Sequence, residues 1–206
     1  MEKFDSFIFD VDGTIWDTTL VVANAWNRAL TELNLSERVS DVILKGLFGL
    51  PMDDIISKIL PAESKETREK FKPLCYKYEH EYLLETGGTV YPGVKETFKT
   101  LSQSRSLFIV SNCQSGYIEL MMKKTGITDY VKDFACYGDK GLLKAENIRL
   151  IVSRNSLKKP VYVGDTQMDA DACDTAQVPI IHAAYGFGTV KAPYAAIHNI
   201  GELEKF

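Results

Sequence analysis

The sequence predicts an α/β fold: a doubly wound parallel sheet with a smaller helical domain inserted after the first strand. Three observations carry this. Short runs that are apolar throughout recur along the chain, as strands buried on both faces of a parallel sheet require. Helical periodicities lie between these runs, the alternation of a doubly wound fold. Behind the first run comes a long stretch with helical spacing and no strand signal, too long for a plain loop.

The first strand is Phe7-Ile8-Phe9, ending at Asp10. In the stretch from Trp16 to Thr86 no strand is expected. Val22, Trp26, Leu30 and Leu33 share one helical face there, and Ile55, Ile56, Ile59 and Leu60 follow Pro51, a helix opener. The charged segment from Glu63 to Leu84 carries Phe71, Leu74, Tyr78 and Tyr82 on one face, and Gly87-Gly88 breaks it. The expected division is therefore a discontinuous α/β core at 1–15 and 87–206, with a helical insertion at 16–86. Pro92-Gly93 opens a helix with Val94, Phe98 and Leu101 inward. A second strand, Leu107 to Val110, ends at Ser111. The stripe Ile118, Met121, Met122 and Thr125 stops at Gly126, where a helix terminator belongs. Ile148, Ile151 and Val152 mark another helix, Val161-Tyr162-Val163 a third strand ending at Gly164-Asp165, and Val178 to His182 a fourth.

Composition sets the outer limits. The chain has 206 residues, 45% hydrophobic and 25% charged, with a formal net charge of −4. That is enough to bury a sizeable core without staples. The acidic balance argues against non-specific nucleic-acid binding, which needs a basic face, but leaves room for a small anionic substrate at a local site. Cys75, Cys113, Cys136 and Cys173 are scattered and read as reduced thiols. MEKFDSFIFD does not read as a signal peptide. The longest uncharged stretch, Thr175 to Val190, is too short to span a bilayer. The expectation is a cytoplasmic protein with no membrane or nucleic-acid partner.

Ligands of an open parallel sheet bind beyond the carboxyl ends of its strands. That rule brings Asp10, Asp12, Ser111, Asn112, Asp165 and Asp169 towards one crevice. Taken singly, Asp10 and Asp12 read as turn formers and Ser111-Asn112 as a helix cap. Taken together, so many carboxylates are costly without a cation, and oxygen ligands of this kind suit Mg²⁺. Asp171 and Asp174 read as ordinary acids of a helix start. His80, His182 and His198 match no ligand spacing, and Met121 and Met122 read as core.

The motifs also carry a resemblance. FIFDVDGTIWDT resembles the first motif of the haloacid dehalogenase superfamily, D-x-D-G-T, and VSN its second. Lys144, in GLLKAENI, stands where the third motif has its lysine, and VGDTQMDADA resembles the fourth, G-D-x-x-x-D. YPGVKETFKTL and VPIIHAAYGFG resemble the phosphoglycolate-phosphatase-like branch. The resemblance implies a Rossmann-like core under a helical cap and a Mg²⁺-dependent phosphatase acting on a small phosphate monoester. Asp10 would be the nucleophile and Asp12 the general acid. Ser111, the Asn112 backbone N–H and the Gly13-Thr14 loop would hold phosphoryl oxygens. Lys144 would neutralise charge. The metal would sit on Asp10, Asp165 and the main-chain carbonyl of Asp12, with Asp169 orienting a metal-bound water or Lys144. The family often has Lys-Pro where this chain has Lys144-Ala145, which keeps Lys140 as a competitor. Hinges are expected at Ile15-Trp16-Asp17 and near Gly87-Gly88. Lys45, in the loop from Lys45 to Pro51, is a candidate for meeting a substrate carboxylate. Three other readings stay open. A mutase of the sugar-phosphate kind carries a histidine where this chain aligns Val22. A dehalogenase would leave Asp12 without a task. A non-catalytic phosphometabolite-binding protein would keep the scaffold alone.

Overall fold

The computed structural model describes residues 4–206. Six strands form one sheet in the order β5-β4-β1-β6-β7-β8, and every pairing in it is parallel. They are β1 (Ser6–Phe9), β4 (Ser106–Ser111), β5 (Val131–Cys136), β6 (Pro160–Gly164), β7 (Ile180–Ala183) and β8 (Ala195–Ile197). The central strands are apolar on both sides because helices cover both faces. Phe7, Phe9, Leu107, Ile109, Val161 and Val163 join one cluster, with α5 (Val94–Ser102) and α6 (Tyr117–Thr125). Ile8, Phe108, Val110 and Tyr162 alternate to the other face and meet α8 (Lys144–Arg154) and α9 (Gln167–Ala176). A short α7 spans Tyr137–Lys140.

Between β1 and β4 the chain leaves the sheet. The helices α1 (Thr19–Glu32), α2 (Asp41–Lys45), α3 (Met52–Ile59) and α4 (Lys65–Thr86) pack around a separate apolar cluster centred on Val22, Trp26, Leu30, Leu44 and Phe71. Pro73 lies inside α4. The buried face of α4 is Phe71, Cys75, Tyr78, Glu79 and Leu83, with Leu74 and Tyr82 only half-buried.

Two expectations need correction. The stretch from Trp16 to Thr86 does contain a strand. Trp16–Asp17 (β2) pairs antiparallel with Thr89–Val90 (β3), so the ends of the helical segment are tied together. Two residues per strand leave no periodicity to read, and the pairing partner is distant in sequence. The four strand signals also understate the sheet. β5 carries Lys132 and Asp133, and the run Val131–Cys136 is only partly buried, because it is an edge strand and one side of it faces water. β8, at the opposite edge, has three residues.

Candidate active site

Three neighbouring strands, β4, β1 and β6, end side by side, and each delivers polar residues at its carboxyl end. Phe9 stands opposite Ile109 and Val163, so Asp10, Ser111 and Asp165 follow on one rim. The Asp10 amide donates to the Val163 carbonyl at 2.9 Å, which carries the sheet ladder one residue further. Gly13 then turns with φ +80° beneath the Asp165 carboxylate; a Cβ there would sit 2.1 Å from Asp165 Oδ2. Only glycine allows that approach.

Lys144 organises the centre. It opens α8, is 3% exposed, and donates to Asp169 Oδ1 at 2.6 Å while standing 3.0 Å from Asp10 Oδ2. Burial would lower its pKa, but Asp10 and Asp169 raise it further than burial lowers it, so it stays an ammonium. Lys140 is exposed at the end of α7. Asp169 is held at both oxygens: Oδ2 accepts from the Thr166 amide at 3.0 Å and its hydroxyl at 2.7 Å, a capping box at the start of α9. Burial works to raise its pKa, and Lys144 with the Thr166 donors holds it below the usual carboxylate range instead.

The other carboxyls go the opposite way. Burial pushes Asp10 up to about 6 against the pull of Lys144. Burial, with the charges of Asp169 and Asp10, pushes Asp165 up to about 8. Asp165 Oδ2 accepts from the Phe187 amide at 2.7 Å, while Asp10 Oδ1 is buried with no hydrogen-bond partner. Carboxylate oxygens of Asp10, Asp165 and Asp169 lie within 4.8 Å of one another. An orphaned buried oxygen beside another raised carboxyl fits a hard divalent cation, which prefers oxygen ligands. Asp10 and Asp165 have the oxygens to offer, whereas both oxygens of Asp169 are already engaged.

Asp12 stands apart from this knot. Its Oδ1 accepts from Thr18 at 2.6 Å and Tyr117 at 2.8 Å. Burial nevertheless lifts it to about 7, the range in which a carboxyl can both give and take a proton. Ser111 is buried, and Asn112 Nδ2 donates to the Gly49 carbonyl of the helical segment at 2.8 Å. Thr14 is buried, its hydroxyl 3.5 Å from Asp165.

A cavity of about 60 Å³ opens between the strand ends and the helical segment. Asp10, Asp12, Ser111 and Asn112 line its floor, and Trp26, Phe48, Leu50 and Glu79 line its roof. Among the lining groups that the motifs do not single out are Tyr117 and Glu79. Tyr117 follows a glycine turn and reads as ordinary helix. Glu79 sits in a charged helix and reads as solvated; the signal that finds it is Cys75 and Leu83 at i±4, both buried. Lys45, the candidate for a substrate carboxylate, is not among the residues lining the cavity: it lies 3.4 Å from Asp17 and 3.7 Å from Asp41, over the ring of Phe187.

Residues 7–183 match the family model described as haloacid dehalogenase-like hydrolase. The chain belongs to that family. It is 27% identical over 192 residues to a phosphoglycolate phosphatase of Agrobacterium fabrum, covering 89% of this chain and 82% of the relative. A phosphoglycolate phosphatase of Pasteurella multocida is 25% identical over 199 residues, with 91% and 88% covered. Among solved structures, a predicted phosphoglycolate phosphatase from Haemophilus somnus superposes with a TM-score of 0.87 at 21% identity, covering 100% of this chain and 98% of the other. A haloacid dehalogenase-like protein from Streptococcus pneumoniae gives 0.86 at 18% identity, with 98% and 97% covered. The doubly wound sheet is therefore that of the haloacid dehalogenase-like fold. Among the described residues no helix is long and apolar enough to cross a membrane.

Proposed function

We propose that this hydrolase is a Mg²⁺-dependent phosphatase of small phosphate monoesters, with Asp10 as nucleophile and residues 16–86 as a cap over the core. One observation carries the reading: Asp10 has one oxygen against the Lys144 ammonium and the other buried with no partner, beside a carboxyl at Asp12 lifted to about 7. The names of the relatives, all at about 25% identity, agree with it.

Mg²⁺ held by Asp10, Asp165 and the Asp12 carbonyl would supply the positive charge that lets a carboxylate meet a phosphate dianion. The residues divide the remaining work. Lys144 holds Asp10 in place and offsets its charge. Ser111, the Asn112 amide and the Gly13-Thr14 turn receive the phosphoryl oxygens. Asp10 attacks phosphorus as the bond to the leaving oxygen breaks, and Asp12 gives that oxygen a proton. Asp12 then takes a proton from water, the water oxygen bonds to phosphorus, and the aspartyl-phosphate bond breaks. Asp169 keeps Lys144 aimed. The apolar roof excludes bulk water while this happens.

A mutase would need a further acid-base group where Val22 stands, and Val22 is a fully buried core residue of α1. Turnover of an aryl phosphate with and without Mg²⁺ tests the reading. Wild type should release phosphate only with the metal, and Asp10→Asn should lose at least about a thousandfold in kcat, because an amide cannot form the acyl phosphate. Near-normal turnover in that variant would remove Asp10 from its role.

A further inference from the structure

Glu79 is 4% exposed and belongs to the helical segment, yet it faces the strand ends across the cavity. It is held from both sides of that boundary. The Trp26 indole donates to Oε2 at 3.0 Å from α1, and the Gln114 amide donates to Oε1 at 2.7 Å from the loop after β4. Each carboxylate oxygen can accept a second hydrogen bond. The walls beside it are apolar, with Phe48, Leu50, Met52 and Ile55. The ionisable carboxyls lining the cavity are Asp10, Asp12 and Glu79; among the described residues no lysine, arginine or histidine lines it, the Lys144 ammonium lying behind Asp10.

A buried carboxyl fixed by two donors, on a cavity whose described lining has no cationic side chain, suits the recognition of a hydrogen-bond donor. We infer that Glu79 is a specificity-determining residue: it selects monoesters whose small leaving group carries a hydroxyl or ammonium donor, and disfavours those whose leaving group carries a carboxylate. This rests on the phosphatase reading and narrows its substrate class. A like charge facing Glu79 in a water-poor site is opposed at short range. Burial already holds the Glu79 carboxyl at about 7, so a second carboxylate is tolerated only while Glu79 keeps its proton. A donor has no such restriction. Lys45, the sequence's candidate for a carboxylate partner, pairs with Asp17 and Asp41 and does not line the cavity.

The test is a comparison of three two-carbon monoesters at pH 8 with Mg²⁺: phosphoethanolamine, ethyl phosphate and phosphoglycolate. Ethyl phosphate has a neutral leaving group and reports the phosphatase reading without involving Glu79's preference. Wild type should give kcat/KM in the order phosphoethanolamine, ethyl phosphate, phosphoglycolate, with at least about tenfold between first and last. Glu79→Gln removes the charge at constant volume. It should shrink that first-to-last ratio at least about tenfold. A merely structural Glu79 would lower all three esters together and leave their ratio unchanged, which overturns the inference. So does a wild type that prefers phosphoglycolate to ethyl phosphate. If the variant does not fold, the wild-type order decides. If no ester turns over, the phosphatase reading falls. Thermal-shift binding of phosphoethanolamine against phosphoglycolate, to wild type and variant, then judges Glu79 separately by the same ratio.

Discussion

Asp12 and Asp10 are two residues apart and face different environments, which underlies the different roles proposed for them. Asp10 is tied to an ammonium. Asp12 is tied to two hydroxyls, Thr18 and Tyr117, which hold its pKa below where burial alone would put it. Removing one hydroxyl therefore raises the Asp12 pKa. In its proposed role as the acid for the leaving group, Asp12 must be protonated, so activity should fall as pH rises through its pKa. Tyr117→Phe should move the alkaline limb of the kcat profile upward, by up to about one unit, while kcat at the optimum falls because Asp12 is less well aimed. A full pH–rate profile of both proteins checks this. A limb that stays in place would show that Tyr117 packs beside Asp12 without tuning it. Asp10, Asp12 and Asp165 stand out in the sequence because several carboxylates behind apolar runs, in motif order, make a joint signal that none of them makes singly. Tyr117 and Glu79 do not, since a tyrosine or glutamate in a helix has many ordinary reasons to be there.

At the scale of elements, the smallest pairing ties the helical segment to the core. The β2–β3 ribbon closes the ends of the helical segment, and Tyr91 extends it by donating its amide to the Ile15 carbonyl at 3.1 Å. Gly88 lies flat against it. A Cβ at that position would sit 2.7 Å from Thr18 Cγ2 and 2.9 Å from Trp16 Cε3. Trp16 is fully buried and cannot yield cheaply. Gly88→Ala should cost about 1–3 kcal/mol in a denaturant melt. It should also lower kcat, because the displaced Thr18 is a hydrogen-bond partner of Asp12. Loss of stability with unchanged kcat would separate the ribbon from the site. The glycine pair at 87–88 marks a break in the sequence, whereas the pairing of Trp16 with Val90 depends on residues brought together only by folding. Helices α1, α3 and α4 announce themselves by their periodicity. Within α4 the buried face is shifted from the aromatic stripe towards Cys75, Glu79 and Leu83, because tertiary packing, and not hydrophobicity alone, selects which face turns inward.

At the scale of the molecule, the acidic net charge and the buried carboxyls make one prediction about stability. Unfolded carboxyls lose their protons near pH 4. In the folded, metal-free protein Asp10 keeps its proton to about 6, Asp12 and Glu79 to about 7, and Asp165 to about 8. Between pH 4 and about 8 the folded state therefore binds more protons than the unfolded one. Stability must fall as pH rises through that window and level off above it. Asp169, held low, acts with the opposite sign and only at the acid end. A divalent cation on Asp10 and Asp165 would replace the missing protons. Millimolar MgCl₂ should raise Tm more at pH 8 than at pH 5; an equal shift at both would mean that the ion binds elsewhere. The sign of that pH response is not readable from the net charge. It depends on which carboxyls are buried.

The sequence by itself determined the α/β class, the order of the strand-end motifs and the carboxylates they carry, because apolar runs and the turns behind them are local properties. Tertiary structure decided the rest. It placed Lys144 between Asp10 and Asp169 and left Lys140 exposed. It placed Glu79 on the cavity wall and left Lys45 off it. A side chain's charge is written in its residue type, but its pKa, its partners and the direction it faces come from groups distant in the chain, and only packing brings those groups within reach.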